Sequence, residues 1–364
     1  MDTKMITIMR KRNFWIKNTV FFCTLLLLSP FVLADKENVT NQGTLEGIST
    51  KVIETDLIYQ SEPYPSCHAS TIVDTGEGML AAWFGGTNEK HPDVCIHAAF
   101  YKNGKWEKPF QVADGIENNL IRNPTWNPVL YKRDNGDILL YYKIGPSPTK
   151  WFGVYKISED NGKTWSKEKR IPNNLLGPIK NKPVKSLDGG ILYPTSVEDD
   201  LGWRIYMEHS NQDLSDWKKT EIENGEFNAI QPSVLFYKDG RLQILCRSRN
   251  QKIVESWSYD GGKSWSKVQA TSLPNNNSGT DAITLSDGET QLLIYNPITK
   301  GRNKLALAAS LDGKKWKDLI ILEDHESGEF SYPAIIQGND GKIYITYTYN
   351  RKQIKYAVID IIKK

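Results

Sequence analysis

The sequence predicts an all-β chain, a six-bladed β-propeller of four-stranded antiparallel blades whose ring is closed by its N-terminal strand. The prediction rests on a repeated tryptophan motif, an unbroken run of strand-and-turn segments, and six equivalent blade openings. Five tryptophans close near-copies of one short motif. The clearest copies are Ser158-Glu-Asp160-Asn-Gly162-Lys-Thr164-Trp165 and Ser258-Tyr-Asp260-Gly-Gly262-Lys-Ser264-Trp265. Ser310-Leu-Asp312-Gly-Lys-Lys-Trp316 is a shortened copy, and degenerate ones end at Trp106 and Trp217. Successive tryptophans lie 59, 52, 48 and 51 residues apart. Such a period marks a unit that buries its apolar face only by stacking on its neighbours.

Taken in chain order, Met9 to Lys17 is a basic stretch followed by an apolar run from Thr19 to Leu28 and a small residue, Ala34. That pattern predicts a secretory signal peptide over residues 1–34, with a secreted or periplasmic product; the apolar run is short for a membrane span. Residues 35–47 read as a polar, loose leader, and 48–364 as a single propeller domain. From Lys51 onward, segments rich in Val, Ile, Tyr and Phe alternate with turns such as Asp239-Gly240, Asp287-Gly288 and Asp340-Gly341, the pattern of short strands joined by hairpins. The six openings are His68-Ala69, Asn127-Pro128, Lys182-Pro183, Gln231-Pro232, Asp281-Ala282 and Tyr332-Pro333. Five of them precede their tryptophan by 38, 38, 35, 34 and 35 residues. The sixth unit has three strands, ending at Gln353 to Ile361, and no tryptophan motif. The unmatched strand Lys51 to Tyr59 supplies its fourth strand and removes the exposed edges.

Composition narrows the function classes. A formal charge of +3 over 364 residues gives no reason to expect a nucleic-acid partner. Three cysteines follow the signal segment, Cys67, Cys95 and Cys246. Odd in number and widely spaced, they read as buried small hydrophobes rather than a disulfide framework or zinc site. No metal-ligand cluster or cofactor motif is visible in the sequence, and the oligomeric state is open.

The motif Ser-x-Asp-x-Gly-x-Thr-Trp resembles the Asp-box, or BNR repeat, of the sialidase-like six-bladed propellers, over roughly residues 50 to 362. The resemblance implies that Asp160, Asp260 and Asp312 cap backbone N–H groups in structural turns, with the tryptophan packing between strands. It places Tyr332 where sialidases carry a nucleophilic tyrosine. It sets Arg247 at their second arginine and Asp93 near their acid/base aspartate. The chain departs from that family where sialidases open the first blade with Arg-Ile-Pro, since it reads Cys67-His68-Ala69. It departs again at Gln231, which replaces a glutamate. Both departures argue against sialidase chemistry.

The first strand of each propeller blade lines the axis, so the six opening residues should converge on one mouth. There His68, Tyr332, Tyr142 and Arg247 are the candidate catalytic groups. Asn127, Lys180, Lys182, Gln231, Arg249, Trp126, Asp281 and Asp93 are the candidate substrate-binding groups. Lysines and arginines suit an anion, held by arginine in bidentate fashion, and tryptophan faces suit a sugar ring. The expected partner is therefore an acidic oligosaccharide. Hydrolysis needs two carboxyl groups across the bond, and Asp93, Asp281 and Glu208 form no evident pair. β-Elimination beside a uronate carboxylate needs that carboxylate neutralised and an acid/base pair, which His68 and Tyr332 supply. The set resembles that of propeller lyases cutting ulvan-type glycans. The expectation is thus a carbon–oxygen lyase or dehydratase on uronate glycans. A sialidase-like exo-glycosidase and a non-catalytic glycan-binding propeller are the alternatives.

Overall fold

The computed structural model describes residues 39–61 and 64–363; the expected signal peptide lies outside them. Each repeat folds into one antiparallel sheet, and six such sheets form the ring. Blade 1 contains Ser66–Asp74, Met79–Gly86, Cys95–Lys102 and Lys105–Trp106, and blade 2 contains Thr125–Lys132, Ile138–Ile144, Phe152–Ser158 and Lys169–Arg170. Blade 3 opens with the short strand Val184–Lys185 and continues with Ile191–Asp199, Gly202–Ser210 and Trp217–Glu221. Blade 4 runs Ala229–Phe236, Leu242–Ser248, Lys252–Ser258 and Gln269–Pro274. Blade 5 runs Asp281–Thr284, Gln291–Tyr295, Lys304–Ser310 and Lys317–Asp324. Blade 6 is Phe330–Gln337, Ile343–Tyr349 and Gln353–Lys363, completed by Ile48–Leu57. The ring therefore closes with the strand that precedes blade 1. Residues 40 and 41, within the polar leader, pair with Ile321 and Ile320 at the edge of blade 5, so this part of the leader is bound to a blade.

Each motif tryptophan lies on a seam between consecutive blades. Trp106 packs on the seam of blades 6 and 1, Trp165 on 1 and 2, Trp217 on 2 and 3, Trp265 on 3 and 4, and Trp316 on 4 and 5. The seam of blades 5 and 6 is filled instead by residues such as Leu305, Phe330 and Tyr347, with Ile48 from the closing strand. The aspartates act as turn caps. Asp260 accepts bonds from Ser264 N at 2.9 Å and Ser258 Oγ at 2.9 Å, while Trp265 Nε1 donates to Gly262 O at 3.1 Å. Asp160 repeats this arrangement. Hydrogen bonds from Thr164 and Ser264 hold both carboxyls down at about 2. Cys67, Cys95 and Cys246 are buried and free.

The inner strands differ in one feature that governs the mouth. Blades 1, 2, 4 and 6 carry a register shift at the start of the inner strand. At each shift one non-glycine residue takes a left-handed backbone: Ala69 (φ 56°), Asn127 (φ 36°), Gln231 (φ 59°) and Tyr332 (φ 50°). Such residues cost on the order of 1–3 kcal/mol each and persist where surrounding structure enforces them. Backbone N–H groups at these bulges find partners in the neighbouring blade. Ala69 N donates to Thr348 Oγ1 at 3.2 Å, Gln231 N to Ser196 Oγ at 3.2 Å, and Ile335 N to Asp281 Oδ2 at 3.0 Å. The bulges also correct the sequence frame by one residue: in blade 1 the counterpart of Asn127, Gln231 and Tyr332 is Ala69, and His68 precedes it.

Candidate functional site

The mouth is built around Tyr332, which the blade 6 bulge presents. Arg247 leaves the end of the second strand of blade 4 and donates through Nη1 to Tyr332 Oη at 2.5 Å and to Gln231 Oε1 at 3.3 Å. Gln231 Nε2 donates to the same phenolic oxygen at 3.3 Å. Asn277 fixes the arginine by accepting from its Nε at 3.1 Å and its Nη2 at 3.0 Å. Two more arginines join this group from the loops of blades 5 and 6. The Arg302 guanidinium lies 5.7 Å from the Tyr332 ring centre, at a distance like that of Arg247, 5.6 Å. Arg351 reaches His68 Nε2 at 3.5 Å, and the His68 ring packs on Tyr332 at 4.1 Å between centres.

Three carboxyl groups border the arginines. Glu329 bridges Arg302 (2.8 Å) and Arg351 (2.9 Å). Burial works against its charge, yet the two guanidinium groups hold Glu329 below the usual range. Glu89, from the loop between the second and third strands of blade 1, pairs with Arg351 at 2.6 Å. Glu198, at the end of the second strand of blade 3, is pushed up by burial, against the pull of Arg247, Arg249 and a bond from Trp203. Arg249 stacks on Trp203 at 3.9 Å and Arg247 lies 5.1 Å from the same ring. The assembly is a cluster of arginines and carboxyl groups around Tyr332, in which burial raises Glu198.

Several sequence-predicted residues have other positions or partners. His68 is 2% exposed and lies beneath Tyr332. Burial, then the nearby cations Arg351, Arg302, Arg247 and Lys180, keep it well below the usual histidine range and so neutral. It supports the tyrosine ring rather than facing solvent. Tyr142 is buried between blades 1 and 2 with its hydroxyl donating to Glu168, and is not among the groups that meet at Tyr332. Trp126 is also buried, with Nε1 on Gly145 O at 2.8 Å, so it forms wall rather than a sugar platform.

Lys180 and Lys182 are spent on the axis. Lys180 Nζ donates to Asn181 Oδ1 (2.8 Å), Thr280 O (2.9 Å) and Pro333 O, which ties blade 3 to blade 6. Burial brings Lys180 down to about 7. Lys182 pairs with Asp281 at 2.8 Å. Asp93 bonds Thr87 and His91 at the loop surface, and it is Glu89 from that loop that meets an arginine. Glu208 is buried and caps Leu176 N and Gly177 N. Asn127 lies in the bulged ring, 6% exposed.

The sequence reading missed Arg302, Arg351, Asn277, Glu89, Glu198, Glu329 and Trp203. A signal existed for two of them. Measuring to the ends of the second strands, as was done for the openings, reaches Glu198 and Arg351. The second strand of blade 3 runs Ile191–Asp199, which places Glu198 at its end.

The fold and mouth together define a six-bladed propeller with arginines, carboxyl groups and a tyrosine clustered where its inner strands open. The chain belongs to the BNR repeat-like domain family, whose model matches residues 77–345. It is 32% identical over 136 residues to an ulvan lyase from Alteromonas sp. (strain LOR), covering 36% of this chain and 27% of that protein. It is 30% identical over 102 residues to an ulvan lyase from Pseudoalteromonas sp. (strain PLSV), covering 26% of this chain and 20% of that one. These alignments span about a quarter of the curated relatives' length. Among solved structures, a protein of unknown function from Dyadobacter fermentans shares the fold with a TM-score of 0.71, 16% identity, and coverage of 87% of this chain and all of that one. The sialidase of Trypanosoma rangeli gives 0.65 at 15% identity, covering 81% and 55%. At such identities the likeness is one of fold.

Proposed function

We propose that the chain is a carbohydrate-active enzyme that acts on uronate-containing oligosaccharides by β-elimination, as a lyase or dehydratase. The observation that carries this reading is Tyr332, whose oxygen accepts from Arg247 and from an amide, Gln231, with the Arg302 guanidinium 5.7 Å from its ring. Arg247, which has no carboxylate partner among the described residues, would bind the uronate carboxylate and draw charge from it, whereas Glu329 and Glu89 already hold Arg302 and Arg351. This acidifies the C5 proton and stabilises the enolate-like intermediate. With its hydroxyl proton first released to solvent, Tyr332 takes the C5 proton as a phenolate whose oxygen accepts from Arg247 and Gln231. The C5–H electron pair forms the C4=C5 double bond, the C4–O bond breaks, and Glu198 gives its proton to the departing oxygen. Burial, which raises Glu198, favours the form that can donate.

The partial similarity to two ulvan lyases supports a uronate substrate. The basic and apolar run within residues 1–34 supports export to where polysaccharides are met. A sialidase-like exo-glycosidase is the second reading, favoured by the same arginines and tyrosine. It is weakened by Gln231, because an amide cannot accept the tyrosine proton as a carboxylate would.

The test is incubation of the purified chain with uronate oligosaccharides, followed by ultraviolet absorbance and product chromatography. Elimination produces rising absorbance from an unsaturated uronate, abolished in Tyr332→Phe. Free monosaccharide without that absorbance would replace the reading with hydrolysis. Binding without any product would reduce the chain to a glycan receptor.

A further inference from the structure

Outside the mouth, a groove of about 680 Å³ runs between blades 2 and 3, within the size range of small-molecule sites. Blade 2 contributes Trp151 and Arg170, and the loop leading to blade 3 contributes Asn173 and Asn174. Blade 3 contributes Arg204 and Lys219. Trp151 is partly exposed. Arg170 stacks on Phe152 at 4.0 Å and has no carboxylate partner among the described residues. Arg204 is already held by Asp199 through two bonds of 2.9 and 2.7 Å, and Lys219 by Glu221 at 2.7 Å. The uncommitted charge in the groove is therefore Arg170. The side chains of Asn173 and Asn174 make no hydrogen bond with other described residues, so their amides remain available.

The groove adjoins the mouth at two points. Trp151 meets Trp126 edge-on at 5.7 Å, and Trp126 directly precedes Asn127 of the bulged ring. Val197 lines the groove while its neighbour Glu198 belongs to the mouth. Successive residues of a strand face opposite sides, so one strand end separates the two sites.

We propose that this groove is a second sugar site, which binds an anionic residue of the same glycan beyond the unit held by Tyr332. The sugar ring lies against Trp151, Arg170 binds its sulfate or carboxylate, and the asparagine amides bond its hydroxyls. The inference rests on the uronate reading of the mouth. It adds that the preferred ligand is a chain rather than a single sugar.

The test is calorimetric titration of the full chain, and of its Arg170→Gln and Trp151→Ala variants, with uronate oligosaccharides of increasing length, each in sulfated and desulfated form. Circular dichroism checks that the variants fold, and the exposed Arg170→Gln carries the test if Trp151→Ala does not. Each variant should weaken binding of the longer oligosaccharides about tenfold, the loss of one charge-assisted or stacking contact. Binding of the disaccharide should be unchanged. A loss confined to sulfated ligands identifies the anion as sulfate, and a loss in both series identifies it as carboxylate. Equal affinities of Arg170→Gln and the unmodified chain at every length would overturn the proposal. If no uronate glycan yields an unsaturated product yet length-dependent binding still needs Arg170, the mouth reading fails and the groove stands.

Discussion

Blades 4 and 6 open on the same mouth as blades 3 and 5, yet the two pairs use their polar residues in opposite ways. In blades 4 and 6 a bulge turns Gln231 and Tyr332 toward each other, and Arg247 joins them, with Gln231 and Arg247 buried and Tyr332 partly exposed. In blades 3 and 5 the openings are regular or short, and Lys182 and Asp281 neutralise each other. Lys180 spends its ammonium on backbone carbonyls of blades 5 and 6. Polar residues at equivalent positions thus gather around a tyrosine on one pair and cross-link blades on the other. A cation at a propeller mouth is informative only when its partners are known: Lys180 is bonded to backbone carbonyls and acts as a strut, whereas Arg247 is bonded to side chains, Tyr332, Gln231 and Asn277.

The comparison can be broken most severely at Arg247. Arg247→Ala should lower kcat/KM on a uronate substrate by about 10³-fold, the scale for removing a group that stabilises developing charge. A large loss of stability with unchanged activity would move Arg247 to the structural class. Lys180→Met tests the other pair. It leaves Thr280 O, Pro333 O and Asn181 Oδ1 without their donor, at about 1–3 kcal/mol for each orphaned acceptor. Chemical denaturation should show a loss of roughly 3 kcal/mol or more, and the disaccharide affinity of folded protein should stay near that of the parent.

A smaller effect sharpens the role of Glu198. A general acid works only while protonated, so activity should fall as pH rises through the raised Glu198 value. Glu198→Gln should remove that alkaline limb and reduce kcat by roughly 10²-fold or more. A pH–rate profile with the same alkaline limb in the variant would exclude Glu198 as the proton donor.

Much of the fold was legible because its signals are local. The Asp-box bonds span four residues or fewer, as in Ser258, Asp260, Gly262 and Ser264, so the motif is complete in the sequence. The closing strand was legible from strand count, and the pairing of Ile48–Leu57 with Gln353–Lys363 bears it out. The site was legible only in part. Tyr332, Arg247 and Gln231 were found from their repeat positions, and the structure brings them together. His68, Lys180, Lys182, Asp281, Trp126 and Tyr142 satisfied the same positional rule and have structural partners instead.

Sequence alone determined the all-β class, the six repeats, the ring closure and the capping turns, because each depends on spacing or on groups a few residues apart. Tertiary structure decided which charges face each other. Arg247, Arg302 and Arg351 come from different blades, and Glu89 lies 262 residues from Arg351 in the chain. Their meeting depends on ring closure and on the lengths of loops that do not repeat. The bulges decided the rest, since a one-residue shift in a strand redirects the side chains that follow.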